Sequence, residues 1–272
     1  MNLKFVILFV CVMIILTIFL CLCSTNKSKI LNEYFTNPSS YLPIIIIAYN
    51  NLTFVKNFVN QLLHLPNPII IVDNKSSYQP LLQFYDEIEK STNHKIKVMK
   101  LRKNYGHRVY LSHKKLFPQV YILSDPDLQL NKDMPNNISD ILYSLSEEYK
   151  KFKVGLCLDI SDSHLFFPTK NYMGRKDMSI EKWEQKFWKN KIENPKYDLY
   201  DAPIDTTFTL VNWKYYNKNE YDAIRIGGEF TAKHLPWYDH YIQNNLEKDE
   251  LEKMRIGDRS SSILKVLQES DD

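Results

Sequence analysis

The hydrophobic positions of this chain fall into short runs separated by polar clusters, and their spacing changes from run to run. Ile44-Ile45-Ile46-Ile47-Ala48, introduced by Pro43, is a continuous β-branched run, the pattern of a strand covered on both faces. Phe54, Val55, Phe58, Val59, Leu62 and Leu63 then recur at helical spacing, which predicts an amphipathic helix from Leu52 to His64. Ile69 to Val72 predicts a second strand, Leu81 to Lys90 a second helix, Ile96 to Leu101 a third strand and Val120 to Leu123 a fourth. Met134 to Lys150 reads as helix and Val154 to Leu158 as strand. Alternation in units of about 25–30 residues predicts an α/β fold, a mostly parallel sheet with helices on both faces.

Ligands of such sheets bind beyond the carboxyl ends of the strands. The residues there are Tyr49-Asn50-Asn51, Asp73-Asn74, Arg102 to His107, and Ser124-Asp125-Pro126-Asp127, all polar. No glycine follows the first strand, so a dinucleotide fingerprint or P-loop is absent. A nucleotide diphosphate on this edge therefore needs another source of positive charge. Asp125 and Asp127 offer one: two carboxylates two positions apart, after a buried strand, suit a hard cation such as Mn2+ or Mg2+. The bland alternative for an Asp-x-Asp is a turn or a helix cap.

The N-terminus follows a different pattern. Phe5 to Cys23 carries a single polar residue, Thr17. As a helix it would span about 28 Å, close to the hydrocarbon thickness of a bilayer. The run is long for a signal peptide and no small-x-small cleavage site follows, so the expectation is a single-pass N-terminal membrane anchor over 1–28 and a polar stem over 29–41. Lys4 precedes the run and Lys27 and Lys29 follow it, so charge does not assign a side of the membrane. Over the 272 residues the net charge is only +3, with no long Lys/Arg stripe, which argues against nucleic acid as a partner. Three of the four cysteines lie in the apolar run; Cys157 stands alone in the remainder, so the folded part rests on core packing rather than disulfides.

Ile44 to Asn51, Val72-Asp73-Asn74-Lys75-Ser76-Ser77, Asn104-Tyr105-Gly106-His107 and Ser124 to Asp127 together resemble a family-2-type glycosyltransferase of the GT-A fold, a small membrane-anchored subgroup of it. The resemblance covers 42–160, the expected nucleotide-sugar-binding half. It implies donor contacts at Tyr49, Asn50, Asp73, Asn104 and Asp125, with the metal on Asp125 and Asp127. The expected partners are then a nucleotide-sugar donor and a glycan, lipid or protein acceptor.

Residues 161–272 form the expected acceptor-side half and C-terminal tail. Asp201 to Phe208 and His234-Leu235-Pro236-Trp237-Tyr238 look like subgroup motifs and do not match the usual acidic pair of the family. Transfer to a hydroxyl needs a base, usually a carboxylate in an inverting enzyme. Asp205, which opens the strand-like run Thr206 to Val211, is the first candidate; Glu229 is the second and Asp239 a competitor. Gly227-Gly228 predicts a flexible entry to a loop over Glu229 to Tyr238 that brings His234 to the metal or the donor phosphates. Trp237 and Tyr238 could stack on an acceptor sugar. Two other classes stay open: a nucleotidyltransferase, and a catalytically inactive glycan- or nucleotide-binding protein of the same fold.

Overall fold

The computed structural model describes residues 41–91 and 95–256. The apolar run over 5–23 and the stem to residue 40 lie outside the described residues. Among the described residues, no helix is long and apolar enough to cross a membrane.

The first half of the fold is built from four parallel strands: β1 (Ile44–Ala48), β2 (Ile69–Asp73), β3 (Ile96–Lys100) and β4 (Val120–Ser124), in the spatial order β3-β2-β1-β4. Every residue of β1 and β2 is buried, as a continuous apolar run requires when helices cover both faces. Helix α1 (Leu52–Leu62) buries Phe54, Val55, Phe58, Val59 and Leu62, and α2 (Gln79–Ser91) buries Leu81, Tyr85 and Ile88. Asn51 makes no side-chain cap at the start of α1. Instead Glu250, far along the chain, accepts from the Thr53 N–H (2.8 Å) and the Thr53 hydroxyl (2.7 Å), placing a carboxylate at the helix N-terminus. A four-residue turn of helix, α3 (Val109–Ser112), precedes β4.

The second half is mixed. Beyond β4 follow β5 (Leu128–Leu130), α4 (Ile138–Tyr149), β6 (Lys153–Leu158), α5 (Ile180–Glu184), β7 (Lys191–Ile192), β8 (Leu199–Asp201), β9 (Thr209–Asn212), β10 (Ala223–His234), α6 (Asp239–Asn245) and α7 (Lys248–Arg255). The sheet continues β4-β9-β6-β10-β8-β7, with β5 paired to β10. β9 runs antiparallel between β4 and β6, so the mostly parallel sheet expected from the alternation is parallel across β1–β4 and again between β6 and β10, with an antiparallel strand between. That reversal matters. An antiparallel strand begins where its neighbours end, so the segment leading into β9 arrives at the carboxyl edge beside Asp125.

β10 corrects a second expectation. Of the stretch expected as a loop, Glu229 to His234 closes the longest strand, Ala223–His234, and Leu235–Trp237 forms a 3-10 turn. The strand pairs with β8 through Ile224–Ile226 and with β5 through Ala232–His234, and its register against β6 shifts between Ile226 and Thr231. The two glycines sit in this bulge, where Gly228 takes a φ of 68° that favours glycine.

Candidate active site

A cavity of about 730 Å³ opens at the carboxyl edge of the sheet. Tyr49, Asn74, Asn104, Asp125, Asp127 and Asp205 line it, with His107, Arg225 and His234. Local turns set several of them. Asn104 Oδ1 accepts from the Gly106 N–H (2.7 Å), and Asn74 spans the same turn, accepting from the Tyr105 N–H and donating to the Gly106 carbonyl, both at 3.2 Å. Gly106 has φ 71°, which this turn requires.

Asp125 and Asp127 leave β4 toward the cavity. Asp125 is clasped by Thr206: its N–H donates to the Thr206 carbonyl (2.9 Å) and its carboxylate accepts from the Thr206 hydroxyl. Asp127 meets His234, with Nε2 3.4 Å from Oδ2, and its carbonyl accepts from the Leu235 N–H (2.9 Å). The antiparallel pairing of His234 with Leu128 brings strands β5 and β10 to this register. Asp127 Oδ1 and His234 Nδ1 are both buried without a hydrogen-bond partner. Polar atoms held out of water need a partner, so this pair fits a bound cation. Among the described residues no three His, Cys, Asp or Glu side chains close into a ready-made metal cluster.

Asp205 sits on the loop between β8 and β9, its side chain about half exposed (52%) and 3.8 Å from His107 Nε2. The backbone of this loop is fixed from beneath. Arg225 Nε donates to the Pro203 carbonyl (2.8 Å), and Lys153 Nζ donates to the carbonyls of Ile204 (3.2 Å) and Asp205 (2.9 Å). The Thr206 carbonyl is the one taken by Asp125. Lys153 is wholly buried (0%), and burial pulls its ammonium down to about 8 against the opposing pull of Asp205 and Asp125. Arg225 also meets Glu184 at 2.5 Å, both buried; burial pushes the Glu184 carboxyl upward despite that guanidinium.

Several expected site residues lie elsewhere. Asn50 does not line the cavity: it is buried, its Oδ1 accepts from the N–H groups of Ser77 (2.7 Å) and Tyr78 (3.0 Å), and its Nδ2 donates to the Lys253 carbonyl (2.9 Å). Asp73 is likewise spent within the fold, accepting from the Tyr85 hydroxyl (3.2 Å) and the Ser76 N–H (3.0 Å), and Asn74 takes its place on the cavity wall. Tyr49 does line the cavity, with its hydroxyl on the Ile256 carbonyl (2.6 Å). Glu229 is exposed in the β10 bulge and does not line the cavity; neither does Asp239. Tyr238 is buried, its hydroxyl donating to Asp162 (2.8 Å), and is not part of the lining. Trp237 does line the cavity, but it is only 2% exposed, packs on the His234 ring at 4.9 Å and donates to the Tyr172 hydroxyl (3.1 Å), so it braces His234. The half-buried aromatics on the lining are Tyr49, together with Trp183 and Phe187 from α5 and the 3-10 turn after it.

No family model matches the chain, and no curated protein matches it. Solved structures do. A mannosyltransferase, PcManGT from Pyrobaculum calidifontis, in complex with GDP-Man and Mn2+, is 11% identical over 54% of this chain and 48% of its own, with a TM-score of 0.34. GalNAc-T7 with UDP, GalNAc and Mn2+ is 12% identical over 86% of this chain and 55% of its own, with a TM-score of 0.43. The bifunctional glycosyltransferase WbbM, in an apo structure, is 16% identical over 65% and 32%, with a TM-score of 0.33. The chain thus spans about half the length of the first two and about a third of the other. Likeness at this level carries no argument about what the chain does.

Proposed function

We propose that the protein is a metal-dependent glycosyltransferase that moves a sugar from a nucleotide-diphosphate sugar to an acceptor hydroxyl with inversion. The observation that carries this reading is the Asp125/Asp127/His234 edge of the cavity, with its buried, unpartnered Asp127 Oδ1 and His234 Nδ1. Asp127, His234 and Asp125 would hold a divalent cation, Mn2+ or Mg2+. When bound, such a cation supplies Lewis-acid stabilisation to a diphosphate leaving group.

The remaining roles fall to the chain's own groups. Four acids line the cavity: Asp125, Asp127, Glu184 and Asp205. Glu184 is tied to Arg225 and the first two face the cation position, which leaves Asp205 as the base. One carboxylate oxygen faces His107; the carboxylate takes the acceptor's proton as the acceptor oxygen bonds to the sugar and the bond to the diphosphate breaks. Trp183 and Phe187 flank the acceptor side, and Asn74 and Asn104 the donor side. Residues 5–23 anchor the domain to a membrane.

A panel of nucleotide-diphosphate sugars, screened by thermal shift with and without Mn2+, identifies the donor. Asp127→Asn then lowers transfer by more than about 100-fold, the upper range for groups that merely orient a metal ligand, while Asp133→Ala changes little. Full activity in EDTA would overturn the metal assignment. The same assay on a chain starting at Lys29 tests the anchor: it partitions to the soluble fraction with activity intact, and recovery only as aggregate contradicts the reading.

A further inference from the structure

A buried cation is costly unless each of its hydrogens finds an acceptor. Lys153, the first residue of β6, meets that condition. Its ammonium has three hydrogens and three acceptors: the Tyr110 hydroxyl oxygen (2.9 Å), the Ile204 carbonyl (3.2 Å) and the Asp205 carbonyl (2.9 Å). These acceptors belong to two separate segments. Tyr110 lies three residues after His107. The two carbonyls belong to Asp205 and its predecessor. The ammonium therefore ties together, beneath the cavity floor, the two segments whose side chains meet on the cavity surface.

The rest of the network supports this arrangement. The Tyr110 hydroxyl donates onward to Glu220 (3.4 Å), and Glu220 is paired with Arg108, so the His107 segment is fastened on both sides of Val109. On the other segment, Arg225 and the Asp125 N–H hold the carbonyls that flank the two taken by Lys153. Four successive carbonyls, Pro203 to Thr206, are engaged, while the Asp205 side chain stays exposed. An exposed carboxylate on an ordinary loop would sample many orientations; here the backbone that aims it is fixed.

We infer that Lys153 is a positioning residue that sets the His107–Asp205 pair, one buried ammonium fastening the loop of the base to the segment of the histidine. The role given to Asp205 rests on the transferase reading; the fastening itself does not. His107, held at this distance, steers one oxygen of Asp205 and leaves the other for the acceptor hydroxyl. Neither segment alone contains the instruction, because the pair is aligned through a residue on a third element.

The test uses the full chain carrying Lys153→Met, which keeps an unbranched apolar stem, one atom shorter, and removes the charge and donors. Hydrogen exchange is followed over residues 105–110 and 202–207, and turnover is measured with the nucleotide sugar selected by the panel. The expected result is exchange faster by about tenfold or more in both segments, with the remaining strands unchanged. Turnover falls by about 10–100-fold, while donor KM and Mn2+ affinity stay within about twofold. In an Asp205→Asn background the same substitution adds no further loss of turnover. Tyr110→Phe is the second variant: it loosens 105–110 and spares 202–207. Unchanged exchange in both segments of Lys153→Met overturns the inference, as does a loss of Mn2+ affinity that matches the loss of turnover. Should Lys153→Met fail to fold, Tyr110→Phe decides, and wild-type exchange over 105–110 in that variant overturns the fastening. A wild-type chain that turns over no nucleotide sugar sinks the transferase reading alone, since the exchange arm still reports on the fastening.

Discussion

Strands β1, β2 and β4 bury apolar residues along their lengths and keep their buried polar residues, Asp73 and Ser124, at their carboxyl ends. Strands β6, β9 and β10 bury Lys153, Thr209, Asn212 and Arg225 among their apolar residues. The first arrangement gains stability from area removed from water and leaves function to the strand ends. The second places charged and polar groups inside the sheet, where each must find a partner. Lys153 and Arg225 find theirs in the Tyr110 hydroxyl, Glu184 and the backbone carbonyls of the Asp205 loop, while Asn212 donates to Ser146 and Glu147. One half of the sheet is thus a platform and the other is an instrument for holding the loop of Asp205.

The comparison can be broken most directly at Arg225. Arg225→Met leaves Glu184 buried without its guanidinium and frees the Pro203 carbonyl, so it costs about 3–5 kcal/mol of stability and lowers turnover as well. Leu62→Ala, in the platform, removes a fully buried side chain and costs about 2–5 kcal/mol. Turnover per folded molecule should be unchanged in that variant. Urea melts paired with turnover separate the two, and an equal loss of turnover in both variants erases the distinction.

A milder change sharpens it. A Cβ on Gly155 would stand 2.6 Å from Ile204 Cδ1 and 2.7 Å from Thr209 Cβ. Gly155→Ala therefore costs about 1–3 kcal/mol by overpacking, and part of the relief comes from moving Ile204, whose carbonyl Lys153 holds. Turnover should drop more than stability accounts for. A loss of stability with turnover intact shows that the loop tolerates displacement.

The smallest effect is on pH dependence. Folding lowers the Lys153 pKa from its ordinary 10.5 to about 8. Below that value both states carry the proton and the cost of burying the ammonium is complete. Between about pH 8 and 10 the unfolded chain keeps a proton that the folded chain has released, so this group makes stability rise with pH. Above pH 10 the buried Tyr85 and Tyr121, whose pKa values are raised, act in the opposite sense. Lys153→Met should remove this group's share of the slope between pH 8 and 10. Chemical melts of both chains at pH 7, 8, 9 and 10 give the comparison, and parallel slopes refute it. No residue of the platform strands contributes a buried lysine of this kind.

The same division governs what could be read without the structure. β1, β2 and β4 are continuous β-branched or aliphatic runs, and their helices repeat at helical spacing, so the parallel half is legible from local pattern. Asp125 and Asp127 are legible for the same reason, since a strand and the turn after it place them. β10 is not: Gly227, Gly228 and Glu229 interrupt its apolar run, and the bulge that accommodates them depends on pairing with β6. Lys153 and Arg225 give no local sign of burial, because lysine and arginine in strands usually face solvent and their acceptors here are 51 and 22 residues away. Asn50 and Asp73 mislead in the reverse sense. They stand where a ligand-facing residue would, but Asn50 turns to Ser77, Tyr78 and Lys253 and Asp73 to Ser76 and Tyr85.

The link between α7 and the β1 edge has a consequence for how the chain is made. Tyr49, Asn50 and Thr53 bond to Ile256, Lys253 and Glu250, partners 197 to 207 residues downstream. A ribosome releases the first strand long before it has decoded the codons for that helix. Throughout synthesis the earliest element waits with its rim unfastened and the start of α1 uncapped. A nascent chain halted before residue 247 carries every strand of the sheet but not the clasp on the loop after its first strand. Completion of the pocket is in this sense a late event of translation, timed by the last helix of the described domain rather than by the sheet that forms its floor.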